Sequence, residues 1–209
     1  MRASRPFVSA TAVTAACAAV LALGGAPAGA AVPDQDTVSG FTVLDARHDV
    51  VRGSTESSRV PARPAPRRRQ GDVVALTATH GGDRVRVTMR YAELDRLPGA
   101  LTVHTFAFRT DAGRFAELGL LAHDGNWAGE PVWTVRGRES EPCAGLRTAI
   151  DYRRNTVRVV VPRDCLSDPR WVRVGGGGGS LVGSTLFADD ALRAGSIGHD
   201  LRLGPRLQH

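Results

Sequence analysis

Two aspartates four residues apart in the segment LDARHDV, Asp45 and Asp49, offer the hard oxygens that a calcium ion takes up. Calcium needs six to eight oxygen ligands, so this pair must recruit backbone carbonyls or carboxylates from elsewhere in the chain. The loop DGNWAGE carries a second set of oxygens on Asp124, Asn126 and Glu130. A plainer role competes at both places, because Asp and Asn also make turns by bonding their own backbone. Trp127 sits in the second loop, where an exposed indole would give a sugar ring an apolar plate with Asp124 and Asn126 as polar neighbours. Trp133 and Trp171 fall within strand patterns and read as core. Calcium, held by Asp45 and Asp49, is the one cofactor candidate.

A third constellation is basic. Arg59, Arg63, Arg67, Arg68 and Arg69 crowd the proline-rich stretch RVPARPAPRRR. Guanidinium groups at this density can lie along a polyanion, with salt-sensitive affinity. No aromatic residue is interleaved to stack on bases, which favours a solvated loop and leaves polyanion binding as the alternative. All 27 basic residues are arginine, which fits codon bias in a GC-rich genome better than a special guanidinium chemistry.

Motifs for catalysis are missing. Gly179-Ser180-Leu181 lacks the closing glycine of a nucleophile elbow, and Gly195-Ser196-Ile197-Gly198 is one residue short of it. The histidines at 48, 80, 104, 123, 199 and 209 are scattered, and there is no HExxH, no CxxC and no phosphate-cradling loop. His104, on an apolar strand, reads as a hydrogen-bonded core residue. The chain is therefore expected not to be an enzyme. A hydrolase whose Asp and His residues meet only on folding remains the alternative.

The elements that would position these residues are strands. Between Cys143 and Cys165, Thr148, Ile150 and Tyr152 alternate, as do Val157, Val159 and Val161 after the break Arg153-Arg154-Asn155. That period of two predicts a hairpin, with Asn155 suited to positive φ. In RVRVTMRYAEL, Val85, Val87, Met89 and Tyr91 face one side and Arg84, Arg86, Thr88 and Arg90 the other. FTVLDA, DVVALTATH, LTVHTFAFR, RFAELGLLAH, PVWTVRG, WVRV, SLVGSTLFADD and LRLGPRL continue the series. About nine or ten short strands without a sustained helical period predict an antiparallel β-sandwich, jelly-roll-like, or a flattened barrel. Residues 189–193 could form one helical turn. Gly175–Gly179, with no side chains to pack, is expected to be a flexible loop or frayed edge. The prolines at 61, 64 and 66 mark residues 52–71 as an exposed, poorly ordered loop.

The amino terminus reads as a secretory leader over residues 1–30. Arg2 and Arg5 precede the apolar run Val13 to Leu23, and Ala28-Gly29-Ala30 supplies the cleavage pattern. The run is too short for a membrane span, and no large aliphatic residue stands three places before Cys17, as a lipidation signal would require. Residues 31–40 would form a flexible mature terminus and 41–209 a single sandwich domain. Cleavage removes Arg2 and Arg5 and no acid, so the net charge falls from +6 to +4. Cys143 and Cys165 are then the only cysteines, an even count that predicts a disulfide in an oxidising compartment. Closing a loop of 22 positions would contribute roughly 3 kcal/mol.

Three stretches, GDVVALTATHGGDRVRVTMRYAEL, CAGLRTAIDYRRNTVRVVVPRDCLSDPRWVRVG and DDALRAG, make the chain from Asp72 onward resemble a family of uncharacterised secreted proteins of actinobacteria. LDARHDV with GDVVALTATHGGDRVRVTMRY is also similar to sandwich modules appended to bacterial glycosidases. The resemblance implies an exported β-sandwich and brings no activity with it; Gly175–Gly179 departs from the family, where an apolar strand would stand. The expectation is a secreted, non-catalytic module that binds or builds at the cell envelope, with a cell-wall glycan or another polyanion as partner.

Overall fold

The computed structural model describes residues 37–55, 62–137 and 142–209. The leader at 1–30, with Cys17, and Arg59 lie outside the described residues. Fourteen strands and one 3-10 turn occur among the described residues, and they form an antiparallel β-sandwich. One sheet runs β10 (Arg147–Asp151), β11 (Thr156–Pro162), β6 (Arg84–Tyr91), β5 (Val73–Gly81), β2 (Gly40–Leu44) from edge to edge. The facing sheet runs β4 (Arg63–Pro64), β3 (Val51–Ser54), β13 (Thr185–Asp190), β12 (Trp171–Val182), β7 (Ala100–Thr110), β8 (Phe115–His123), β9 (Asn126–Val135). β14 (Arg206–Gln208) pairs with β12, and β1 (Thr37–Val38) lies parallel to β14. No helix among the described residues is long and apolar enough to cross a membrane.

Alternation decides which side of each strand is buried. In β6, Val85, Val87, Met89 and Tyr91 are all buried while Arg86 and Arg90 are exposed. These side chains meet Leu76 and Ala78 of β5 and Val157, Val159 and Val161 of β11, against Phe106, Phe108, Leu118, Leu120 and Val174 of the other sheet. Burying each such side chain stabilises by about 1.5–3 kcal/mol, so the low aromatic content is offset by dense Val and Leu packing. The hairpin β10–β11 has the expected register, Thr148 opposite Val159 and Ile150 opposite Val157. Asn155 takes φ 53° in its turn. Cys143 and Cys165 are bridged, with Cα atoms 5.3 Å apart.

Four expectations fail. Gly175–Gly179 is neither a loop nor frayed; it lies inside β12, between β7 and β13, and all five glycines are buried or nearly so. The reason is close packing on both faces. A Cβ on Gly176 would come within 2.7 Å of Met89 Sδ, and one on Gly178 within 2.8 Å of the Tyr91 ring. On the opposite face, a Cβ on Gly175 would lie 2.5 Å from the Arg202 carbonyl oxygen, and one on Gly177 2.8 Å from that of Asp189. The segment around Leu201 to Leu203 is thus strapped flat against the strand. Second, residues 189–193 make no helical turn, because Asp189 and Asp190 end β13 in register with Gly178 and Gly177. Third, residues 52–71 are not simply a loop: β3 and β4 pair within them, and Ala65 N–H donates to the Val50 carbonyl at 2.7 Å. Fourth, of the supposed flexible terminus at 31–40, residues 31–36 lie outside the described residues, whereas Thr37 and Val38 form a strand.

Candidate metal centre

One end of the sandwich gathers acids from three separate segments. Asp45 follows β2, Asp49 precedes β3, Asp72 leads into β5, and Asp189 and Asp190 close β13. A β-bulge at the start of β5 shifts the register between Val73 and Ala75 and turns main-chain groups toward the acids, a use to which bulges are often put. Val73 N–H donates to Asp189 Oδ2 at 2.7 Å, and Asp45 N–H donates to the Val74 carbonyl at 3.1 Å.

Each carboxylate is aimed by a backbone amide. Asp45 Oδ1 accepts from Ala46 N–H at 2.9 Å, Asp49 Oδ2 from Gly195 N–H at 2.9 Å, and Asp72 Oδ2 from His48 N–H at 3.0 Å. The second oxygens, Asp45 Oδ2, Asp49 Oδ1 and Asp72 Oδ1, are buried and have no hydrogen-bond partner. Asp72 itself is fully buried. One oxygen each from Asp45, Asp49 and Asp189 lies within 4.8 Å of the others. Asp190 is occupied differently: its oxygens accept from Leu192 N–H and Arg202 N–H, and Arg193 Nε lies 3.4 Å away.

The electrostatics follow from crowding out of water. Burial, with Asp49, Asp190 and Asp72 as like-charged neighbours, raises the Asp45 carboxyl to about 7. Burial and the nearby Asp49, Asp45 and Asp72 raise Asp189 to about 8. Asp72 is raised for the same reasons, burial first, although the His48 amide and the Arg47 charge pull it back. Two like charges no more than 4.8 Å apart repel by at least roughly 3 kcal/mol at an effective dielectric of 20. A cation at the centre would turn that repulsion into attraction. Two oxygens that each lie about 2.4 Å from one calcium ion are at most about 4.8 Å apart, so the three carboxylates can reach one such ion together.

The sequence candidates fare unequally. Asp45 and Asp49 do face one another, and the structure adds Asp189 and the buried Asp72. Asp124, Asn126 and Trp127 sit together at the β8–β9 turn. There Asp124 Oδ2 accepts from Gly99 N–H at 2.7 Å, and Trp127 is half-buried edge-on against Tyr152, whose hydroxyl donates to the Trp127 carbonyl. Of the arginines, Arg68 lies 4.5 Å over the Phe187 ring, whereas Arg69 points to Glu93 at 3.8 Å. Arg63 and Arg67 are exposed. Trp133 packs on Phe108 in the core. No nearby sequence pattern could have found Asp189, since it lies at the far end of the chain from Asp45.

Fold and corner together define an antiparallel β-sandwich with an internal carboxylate cluster. Comparison with known proteins returns no matching family model, no matching curated sequence and no matching solved structure.

Proposed function

We propose that the protein is an exported, non-catalytic binding module whose sandwich is locked by a calcium ion held by Asp45, Asp49 and Asp189, with Asp72 behind them. The observation that carries this reading is the set of three buried carboxylate oxygens without partners beside three carboxylates within 4.8 Å of one another. Unpaired buried charge is costly, and a hard cation removes that cost where protonation otherwise would. The leader sequence, the Cys143–Cys165 bridge and the resemblance to secreted proteins support work outside the cytoplasm.

The hydrolytic alternative draws less support. His48, His80 and His123 bond the carbonyls of Pro66, Leu207 and Asp124, and His104 Nδ1 lies 2.8 Å from the Tyr91 hydroxyl. His209 lies against the Gly82 carbonyl. None of these contacts is to a carboxylate, so a His–Asp general base is not built from them.

Thermal unfolding of the mature chain with calcium and with a chelator tests the proposal. With free calcium a hundredfold above its Kd, stabilisation should reach about 2.7 kcal/mol, raising Tm by roughly 5–10 °C. Magnesium should give a smaller rise. Identical melting curves in calcium and chelator would overturn the metal assignment.

A further inference from the structure

A second site lies where β13, β3 and β4 run beyond the facing sheet. Cross-strand register places Phe187 opposite Arg52, and Arg52 opposite Arg63. Directly paired residues share a face of the sheet, so Arg63, Arg52 and Phe187 form one row. The same row continues to Ser180, opposite Phe187 on β12. The segment after β4 folds back over this row and carries Arg67 and Arg68. Arg68 is fixed there by two contacts: its guanidinium stacks 4.5 Å over Phe187, and its Nη2 donates to Ser180 Oγ at 3.3 Å. Its Nε is buried with no partner.

The result is a groove of about 530 Å³ lined by Arg52, Arg67, Arg68, Phe187, Pro64 and Pro66. No acid lines it, and none of Arg52, Arg63, Arg67 or Arg68 is ion-paired with a described carboxylate. Several guanidinium groups converge on an apolar floor that no acid among the described residues lines. Neighbouring strands are about 4.8 Å apart, so the row offers forked donors at a regular step, suited to bidentate recognition of carboxylates.

We propose that this groove binds an acidic polysaccharide, its carboxylates on Arg52 and Arg67, with Arg63 beside them in the row, and its sugar rings on the apolar faces of Pro64 and Pro66. Nucleic acid fits less well, because the one exposed aromatic face that a base could stack on is covered by Arg68. A lipid surface needs a projecting basic face, and this one is concave. The inference stands on different residues from the metal centre, so either can fail alone.

The test is affinity electrophoresis of the full mature chain, in calcium, through gels containing polygalacturonate, a neutral galactan or single-stranded DNA. Polygalacturonate should retard the protein, the galactan should not, and added salt should weaken the retardation. The double variant R52Q/R67Q, at exposed positions, should lose about tenfold or more of the affinity while keeping the parent Tm. R86Q/R158Q, which removes the same charge from the outer face of the other sheet, should keep it. Absence of retardation, equal losses in the two double variants, or stronger retardation by DNA would each overturn the proposal.

Discussion

Two corners of the molecule each collect charges of one sign, and they handle the repulsion in opposite ways. The acids around Asp45 and Asp189 are withdrawn from water and aimed by backbone amides, and buried oxygens are left over. The arginines around Phe187 stay largely in solvent, spread along a strand row, and only Arg68 is pinned. Buried like charges carry their repulsion into the folding equilibrium, whereas exposed ones are screened by salt and water. An ion inside the fold would relieve the first arrangement, and a partner outside it would meet the second.

The strongest way to break that contrast is the double variant D45N/D189N. It should erase the calcium-induced rise in Tm, a loss of roughly 5–10 °C. In chelator the same variant should melt at or above the parent, because it removes repulsion. A drop of Tm in chelator would show that the carboxylates stabilise the fold without an ion. Retardation by acidic polysaccharide should persist in the variant.

Acidity gives the next largest effect. The folded-state values of Asp45 and Asp189, about 7 and about 8, lie above the unfolded value of 3.8. The folded chain therefore holds protons that the unfolded chain releases. The stability this contributes is complete below about pH 4 and is lost as pH rises through about 7 to 8. Denaturant midpoints in chelator should fall over that window and change far less in calcium. A flat profile without calcium would contradict the burial of these carboxyls.

The smallest effect sharpens the basic side. S180A removes the hydroxyl that holds Arg68, a contact worth about 1 kcal/mol. Polygalacturonate affinity should drop about two- to fivefold, read in the same gels, with the calcium response of Tm unchanged.

The parts of this molecule that sequence could reveal are those built from neighbours along the chain. Val85 to Tyr91 announces its buried side by alternation, and Asn155 marks its turn by its tolerance of positive φ. The clipped hairpin follows from two cysteines and a period of two. The acidic corner was half visible: Asp45 and Asp49 sit in one loop, but Asp189 reaches them only through the pairing of β13 with β12 and β3. Its own neighbourhood, DDALR, reads as a helical turn instead. The arginine cluster was visible as composition. Its groove was not, since Phe187 and Ser180 come from over a hundred residues away.

The glycine run misled because strand propensity describes how a side chain packs on a pleated surface, and here no side chain fits. That has a consequence for how this gene can vary. At Gly175 and Gly177 the obstacle to any larger residue is a main-chain carbonyl, of Arg202 and Asp189 respectively, and no change of a neighbouring residue type moves it aside. These two glycines should be among the least replaceable residues of the sequence, and a saturation survey of substitutions should find almost no second-site rescue at them.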